Sequence, residues 1–285
     1  MPAPLLFVLS GLTQYAGAAL AVGLFASIAA PTVAWLRIVV AAVVLVVWRR
    51  PWRTRWTRAD LRTVALFGVV LAAMNVTFYV AIDHLPLGTA VAIEFAGPVA
   101  VAAVTGRGWR DRVAIGIAAL GVVLLAGVSL NGGSGSVVGL VAIALAATFW
   151  AAYIVIGRRV ATAHRGGVTG LALAMTAGAL VFAPFLAEGA APVLHDPALA
   201  AAVIGVGVLS SVIPYAIEQV VLRRVRPATF AVLLALLPAT AAVVGAVALG
   251  QVPHGLEVVG LLLVSGAIAL TARSGDAPDE APPPA

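Results

Sequence analysis

The stretch "AVAIEFAGPVAVAAV", residues 90–104, holds a single carboxylate, Glu94, among apolar residues, with Pro98 one helical turn later. A proline nitrogen carries no hydrogen, so a helix through this stretch leaves the Glu94 carbonyl without its usual donor. A carboxylate and a freed backbone acceptor then stand at one residue. If the segment crosses a membrane, they form a polar notch near the bilayer centre. A charge there costs roughly 2.5–3.5 kcal/mol on insertion scales and usually faces a cavity or a partner. Burial favours the neutral carboxyl, so Glu94 could be uncharged in an empty site and carry a transported proton; a substrate ammonium group would favour its charged form. The plainer alternative is a protonated glutamate that bonds a neighbouring helix for packing alone.

Other polar side chains also lie inside apolar segments. Asn75 and Tyr79 are spaced i, i+4 and share a helix face. They could line a cavity with Glu94, or Asn75 could join two helices by a hydrogen bond. Tyr215 and Glu218 follow Pro214 at i, i+3 spacing, and Glu218 is near enough to Arg223 and Arg224 for an ion pair at the membrane edge. Gln14 and Tyr15 in the first segment, and Trp150 and Tyr153 in the sixth, could touch substrate or serve as interfacial anchors. Arg37 either snorkels to headgroups or pairs internally.

Enzyme chemistry finds little support. The chain has no cysteine, so disulfides, thiolate metal sites and thiol nucleophiles are excluded. His84, His164, His195 and His254 are far apart and lie in or near loops. No H-E-x-x-H, Walker A or G-x-S-x-G motif occurs. The expectation is no metal, no cofactor and no ATPase partner, with energy drawn from an ion gradient or from the substrate's own gradient.

The composition says what must position these groups. Of 285 residues, 62% are hydrophobic and 10% charged, against about 45–50% and about 25% in a soluble domain. Ten apolar runs lie at roughly 4–25, 31–48, 62–82, 86–105, 112–129, 136–156, 168–186, 199–222, 227–249 and 254–272. Each approaches the ~20 residues a helix needs to cross a bilayer. None shows the alternation of barrel strands. The lipid bilayer is thus the first partner. The net charge of +6 does not point to nucleic acid, because the arginines lie in short loops. Those loops follow the second, fourth, sixth and eighth runs, and Arg273 starts the tail. The positive-inside rule makes them cytoplasmic, puts both termini inside and requires an even number of spans. "PWRTRWTR" (51–58) reads as an interfacial segment for anionic lipid. The acidic, proline-rich tail 274–285 has nothing to bury and is expected to be disordered.

A shift of 140 residues lays the third and fourth runs on the eighth and ninth without a gap. Pro98 then meets Pro238, and Thr89 meets Thr229. Each half would hold five helices, an odd number, so the second must enter the membrane inverted. Inverted repeats recur in secondary transporters, with the substrate site near the midplane. The alternative is two ordinary helices that share a proline.

Three stretches carry a resemblance: "MNVTFYVAIDHLPLGTAVAIEFAGPVAVA" (74–102), "FASIAAPTVAWLRIVVAAVVLVVWRRPWR" (25–53) and "LSSVIPYAIEQVVLRRVRPATFAVLLALLPATAAVVG" (209–245). They resemble the drug/metabolite transporter superfamily, EamA type, and within it the bacterial threonine/homoserine exporter subgroup. The resemblance implies an all-α membrane protein of ten transmembrane helices in two inverted five-helix repeats, 1–130 and 136–273. It also implies export of small amino acids or related metabolites across the bacterial inner membrane. By position, Glu94, Gly97 and Pro98 match the fourth-helix element, Pro214, Tyr215 and Glu218 the eighth, and Thr229, Phe230 and Pro238 the ninth. Two positions depart from the pattern: Leu237 and Gln251 stand where glutamates are expected.

The expected protein is a proton-coupled exporter of threonine, homoserine or similar metabolites. Glu94, Asn75, Tyr79, Tyr215, Glu218, Gln14 and Tyr153 are its candidate substrate contacts, and Pro98, Pro214 and Pro238 its helix breaks. A drug, nucleoside or other metabolite transporter of the same fold, and a membrane-embedded enzyme on lipid substrates, are the alternatives. Oligomeric state is left open.

Overall fold

A computed structural model describes residues 3–105, 109–130, 134–162, 167–214, 217 and 234–274. Among these residues every regular element is helical. The helices are α1 (Ala3–Leu24), α2 (Ala30–Arg49), α3 (Arg58–His84), α4 (Leu87–Glu94), α5 (Ala96–Thr105) and α6 (Trp109–Leu130). After these come α7 (Ser134–Thr162), α8 (Val168–Leu186), the short α9 (Ala191–His195), α10 (Pro197–Gly207), α11 (Leu236–Leu249) and α12 (Leu256–Ser274). Each expected run carries a helix wherever it is described. Tyr215, Glu218, Thr229 and Phe230, and the tail beyond Ser274, lie outside the described residues.

Six helices are long and apolar enough to cross a membrane, or seven if the bent pair around Asp196 is one span. The apolar stretches 87–101, 236–249 and 256–270 are shorter. The fourth run is short because it is broken at Phe95, three residues before Pro98. The ninth is described only from Leu234 onward, and its helix restarts after Ala235, three residues before Pro238. Phe95 (φ −63°, ψ −12°) and Ala235 (φ −63°, ψ −16°) have nearly the same backbone.

Local chemistry sets the ends. Thr57 and Asp60 form a reciprocal capping box at the start of α3, with the Asp60 amide donating to Thr57 Oγ1 at 3.1 Å and the Thr57 amide to Asp60 Oδ2 at 3.0 Å. Asp196 accepts from the amides of Ala198 and Leu199, and Pro197 opens α10, so the chain turns by 117° between α9 and α10. Glycines let backbones meet. A Cβ on Gly97 would strike the Ala147 carbonyl of α7, and one on Gly17 would strike Ser210.

The helices pair as α3 with α7, α6 with α12, and α2 and α3 with α8. Helix α1 packs on α10 and α11, α2 on α10, α4 on α11, and α4 and α5 on α7. The surface is apolar: Phe185, Val247 and Val104 are 79%, 84% and 88% exposed. Such a belt is stable against lipid and not against water. Trp48, Trp52 and Trp109 are also exposed, as aromatics at a membrane interface are.

Candidate functional site

A cavity of about 410 Å³ lies between the helices, with walls from α1, α2, α3, the α4–α5 break, α7, α8, the segment after α10 and the start of α11. Glu94 lines it from the end of α4. The eight residues of α4 rise about 12 Å, which carries the carboxyl well into the fold. Glu94 is 9% exposed, and among the described residues its carboxylate has no hydrogen-bond or ion-pair partner. Packing by a side-chain bond to a neighbouring helix is therefore not what the described residues show.

Gln14, Asn75, Tyr153, Pro98 and Pro214 line the same cavity. Asn75 does not join two helices: its Nδ2 donates to the Leu71 carbonyl of its own helix at 2.8 Å. Tyr153 stacks on Phe67, with ring centroids 4.8 Å apart. Trp150 meets Phe95 edge-on at 4.6 Å, which supports the break beside Glu94. Tyr79 is fully buried and stands behind the cavity wall, packed on Phe25 and Phe78. It touches the site through the wall residues Arg37 and Phe78. Pro238 is buried next to Leu237, and Leu237 is the wall residue. An acid expected at that position is thus a wall leucine here. The other departure, Gln251, accepts from the Leu87 amide at 2.9 Å and satisfies the start of α4.

Arg37 is a wall residue that the sequence reading placed at the headgroups or in an internal pair. It is 7% exposed and bonded internally. Its Nε donates to Ser211 Oγ at 2.8 Å, and its Nη2 to the Ser210 carbonyl at 2.7 Å. Its Nη1 is 3.5 Å from Tyr79 Oη, and the guanidinium lies 5.4 Å from the Tyr79 ring centre. Both serines sit in a π-helical turn, Val208–Val212, that continues α10. The turn has a cause in the sequence. Pro214 lacks the hydrogen that a helix would direct to the carbonyl four residues back, which is Ser210. Arg37 supplies that donor. Ser210 Oγ in turn donates to the Gln14 carbonyl at 3.3 Å, so the turn is held between α1 and α2. Counting four residues back from Pro214 was the signal that could have found Ser210.

Among the described residues, Arg37 and Glu94 are the charged side chains that line the cavity, and they make no ion pair with each other. No group of histidine, aspartate and glutamate side chains among those residues could hold a metal. Among the described residues the arrangement offers a small solute one unpaired acid, one held base and an aromatic wall.

Comparisons with known proteins place the whole chain. The profile of the EamA-like transporter family matches residues 137–273. The threonine/homoserine exporter RhtA of Salmonella typhimurium (strain SL1344) is 32% identical over 265 residues, covering 93% of this chain and 89% of the relative. The exporter of the same name from Escherichia coli (strain K12) is 34% identical over 252 residues, covering 88% and 83%. A solved crystal structure superposes with a TM-score of 0.57 at 19% identity, covering 96% of this chain and 99% of the other, and so shares the fold. With two such relatives aligned over most of its length, and the family profile on its second half, the chain belongs to the EamA-like transporter family.

Proposed function

We propose that this protein is a proton-coupled secondary transporter of the bacterial inner membrane that exports threonine, homoserine or related small amino acids. The observation that carries the reading is the Glu94 carboxylate, without a partner among the described residues, on the cavity wall at a broken helix. A substrate ammonium group meets Glu94, with Asn75, Gln14 and Tyr153 around it. Release on the far side is followed by proton exchange at Glu94, which resets the site. The names of the relatives, threonine/homoserine exporters, favour small amino acids over drugs or nucleosides.

The architecture belongs to the same proposal: ten transmembrane helices in two inverted repeats, 1–130 and 136–273, with both termini and the 274–285 tail cytoplasmic. The helix pairings support it. Exchanging each span for the one five places on turns α1 on α11 into α7 on α4 and α5, and α2 on α10 into α8 on α3. The matched breaks at Phe95 and Ala235, 140 residues apart, are a second support. The family profile, residues 137–273, has the extent of one half. Substrate sites near the midplane between halves are the recurring arrangement in such transporters.

Counterflow in proteoliposomes tests the substrate. Vesicles loaded with threonine or homoserine should accumulate labelled threonine, and external nucleosides or cationic drugs should not compete. Accumulation blocked by a nucleoside or drug, with no effect of homoserine, would overturn the amino-acid reading.

A further inference from the structure

Resting on the amino-acid reading above, we propose that Arg37 is the carboxylate-binding residue of the cavity, so that Arg37 and Glu94 hold the two ends of a zwitterionic α-amino acid. A guanidinium carries one N–H on Nε and a pair on each Nη. The edge made by Nε and Nη2 is turned to Ser211 Oγ and the Ser210 carbonyl at 2.8 and 2.7 Å. Nη1 has one long contact to Tyr79 Oη at 3.5 Å. Among the described residues these contacts use one N–H of Nη1 and one of Nη2, which leaves one N–H on each of the two nitrogens that form the end edge of the group. That end edge matches the paired oxygens of a carboxylate. Arg37 lines the cavity, as Glu94 does, and the two do not neutralise each other directly.

The surroundings fix the fork. The serine turn anchors one edge, and the fully buried Tyr79 ring backs the plane. A preorganised guanidinium loses little freedom when it takes a ligand. A ligand with both a carboxylate and an ammonium group leaves neither wall charge unpaired. One with only an ammonium group leaves Arg37 buried with its end edge unused, and a site built for a polar group rejects an analogue that lacks it.

The test compares threonine with threoninol, which replaces the carboxylate by an alcohol. In wild-type proteoliposomes, threoninol should compete with labelled threonine at least ~10-fold more weakly than threonine does, the loss of a charge-assisted pair. Arg37→Gln should lose this preference, and Arg37→Lys, which keeps charge but not the fork, should keep part of it. Thermal stabilisation of the detergent-purified proteins by each ligand reads binding even in a variant that does not transport. Equal competition by threoninol in wild type would overturn the proposal and leave amino-acid transport standing. A preference unchanged in Arg37→Gln, with exchange of both ligands reduced alike, would make Arg37 a brace of the serine turn only and would also overturn it. Absence of any threonine exchange in wild type would overturn the amino-acid reading and this proposal with it.

Discussion

Glu94 and Arg37 show how differently two intramembrane charges can be held. Arg37 is held along one edge by the Ser210 carbonyl and the Ser211 hydroxyl and on one face by the Tyr79 ring. Glu94 has none among the described residues. Unpaired buried charges are costly and so mark function. The residue scale was legible in part. Glu94 stood out because an acid near the middle of an apolar run has few other uses. The i, i+4 spacing of Asn75 and Tyr79 predicts a shared face, but four residues along a helix also move a side chain about 6 Å toward one end. That distance takes Tyr79 behind the wall, against Phe25 and Arg37. Whether Arg37 reaches headgroups or turns inward depends on the rotation of α2 against α8 and the serine turn. No periodicity in α2 records that rotation.

At the scale of elements, prolines shape the site. Pro98 frees the Glu94 carbonyl and Pro214 frees that of Ser210, and the helices are broken at the cavity wall. An interior proline costs a helix roughly 3 kcal/mol, so the breaks persist against the helix's own preference. Pro98→Ala should restore a donor to the Glu94 carbonyl and straighten the α4–α5 segment. The purified variant should melt higher, by about 3 °C for each kcal/mol regained, while exchanging substrate more slowly. Unchanged melting with full exchange would show that the break has no role. Gly17 marks the other constraint, because α1 meets the serine turn with no room for a Cβ. Gly17→Ala should cost about 1–3 kcal/mol through overpacking, visible as a lower melting temperature, together with weaker exchange because the turn that holds Arg37 is pushed away. Equal melting and exchange would show that the turn tolerates displacement. Element boundaries were largely legible: the run 168–186 is α8, and 31–48 differs from α2 by one residue at each end. Proline and hydropathy act locally, so sequence shows them. The π-turn was not foreseen, because it takes a donor from another helix to satisfy the carbonyl it frees.

At the scale of the molecule, the apolar exterior and the charged cavity divide the work: lipid suits the one, and the proposed substrate the other. The proposed inverted halves are not chemically equal. Glu94 lines the cavity from the first, and Leu234, 140 residues later, lines it from the second. A single acid among the described wall residues suits binding of one ammonium group or one proton at a time. The proposed orientation has a direct check, because the native chain has no cysteine to interfere. Ala59→Cys and His195→Cys place thiols at exposed positions at the start of α3 and the end of α9. A membrane-impermeant thiol reagent added to whole cells with a permeable outer membrane should label His195→Cys and leave Ala59→Cys unlabelled until the inner membrane is broken. The reverse pattern would invert the topology. The central claim, however, is that transport runs through the Glu94 carboxyl. Its most direct test is counterflow of labelled threonine in proteoliposomes of wild type and Glu94→Gln at matched insertion. Robust exchange in wild type and its loss in Glu94→Gln is the predicted result, and equal exchange in the two proteins would contradict it.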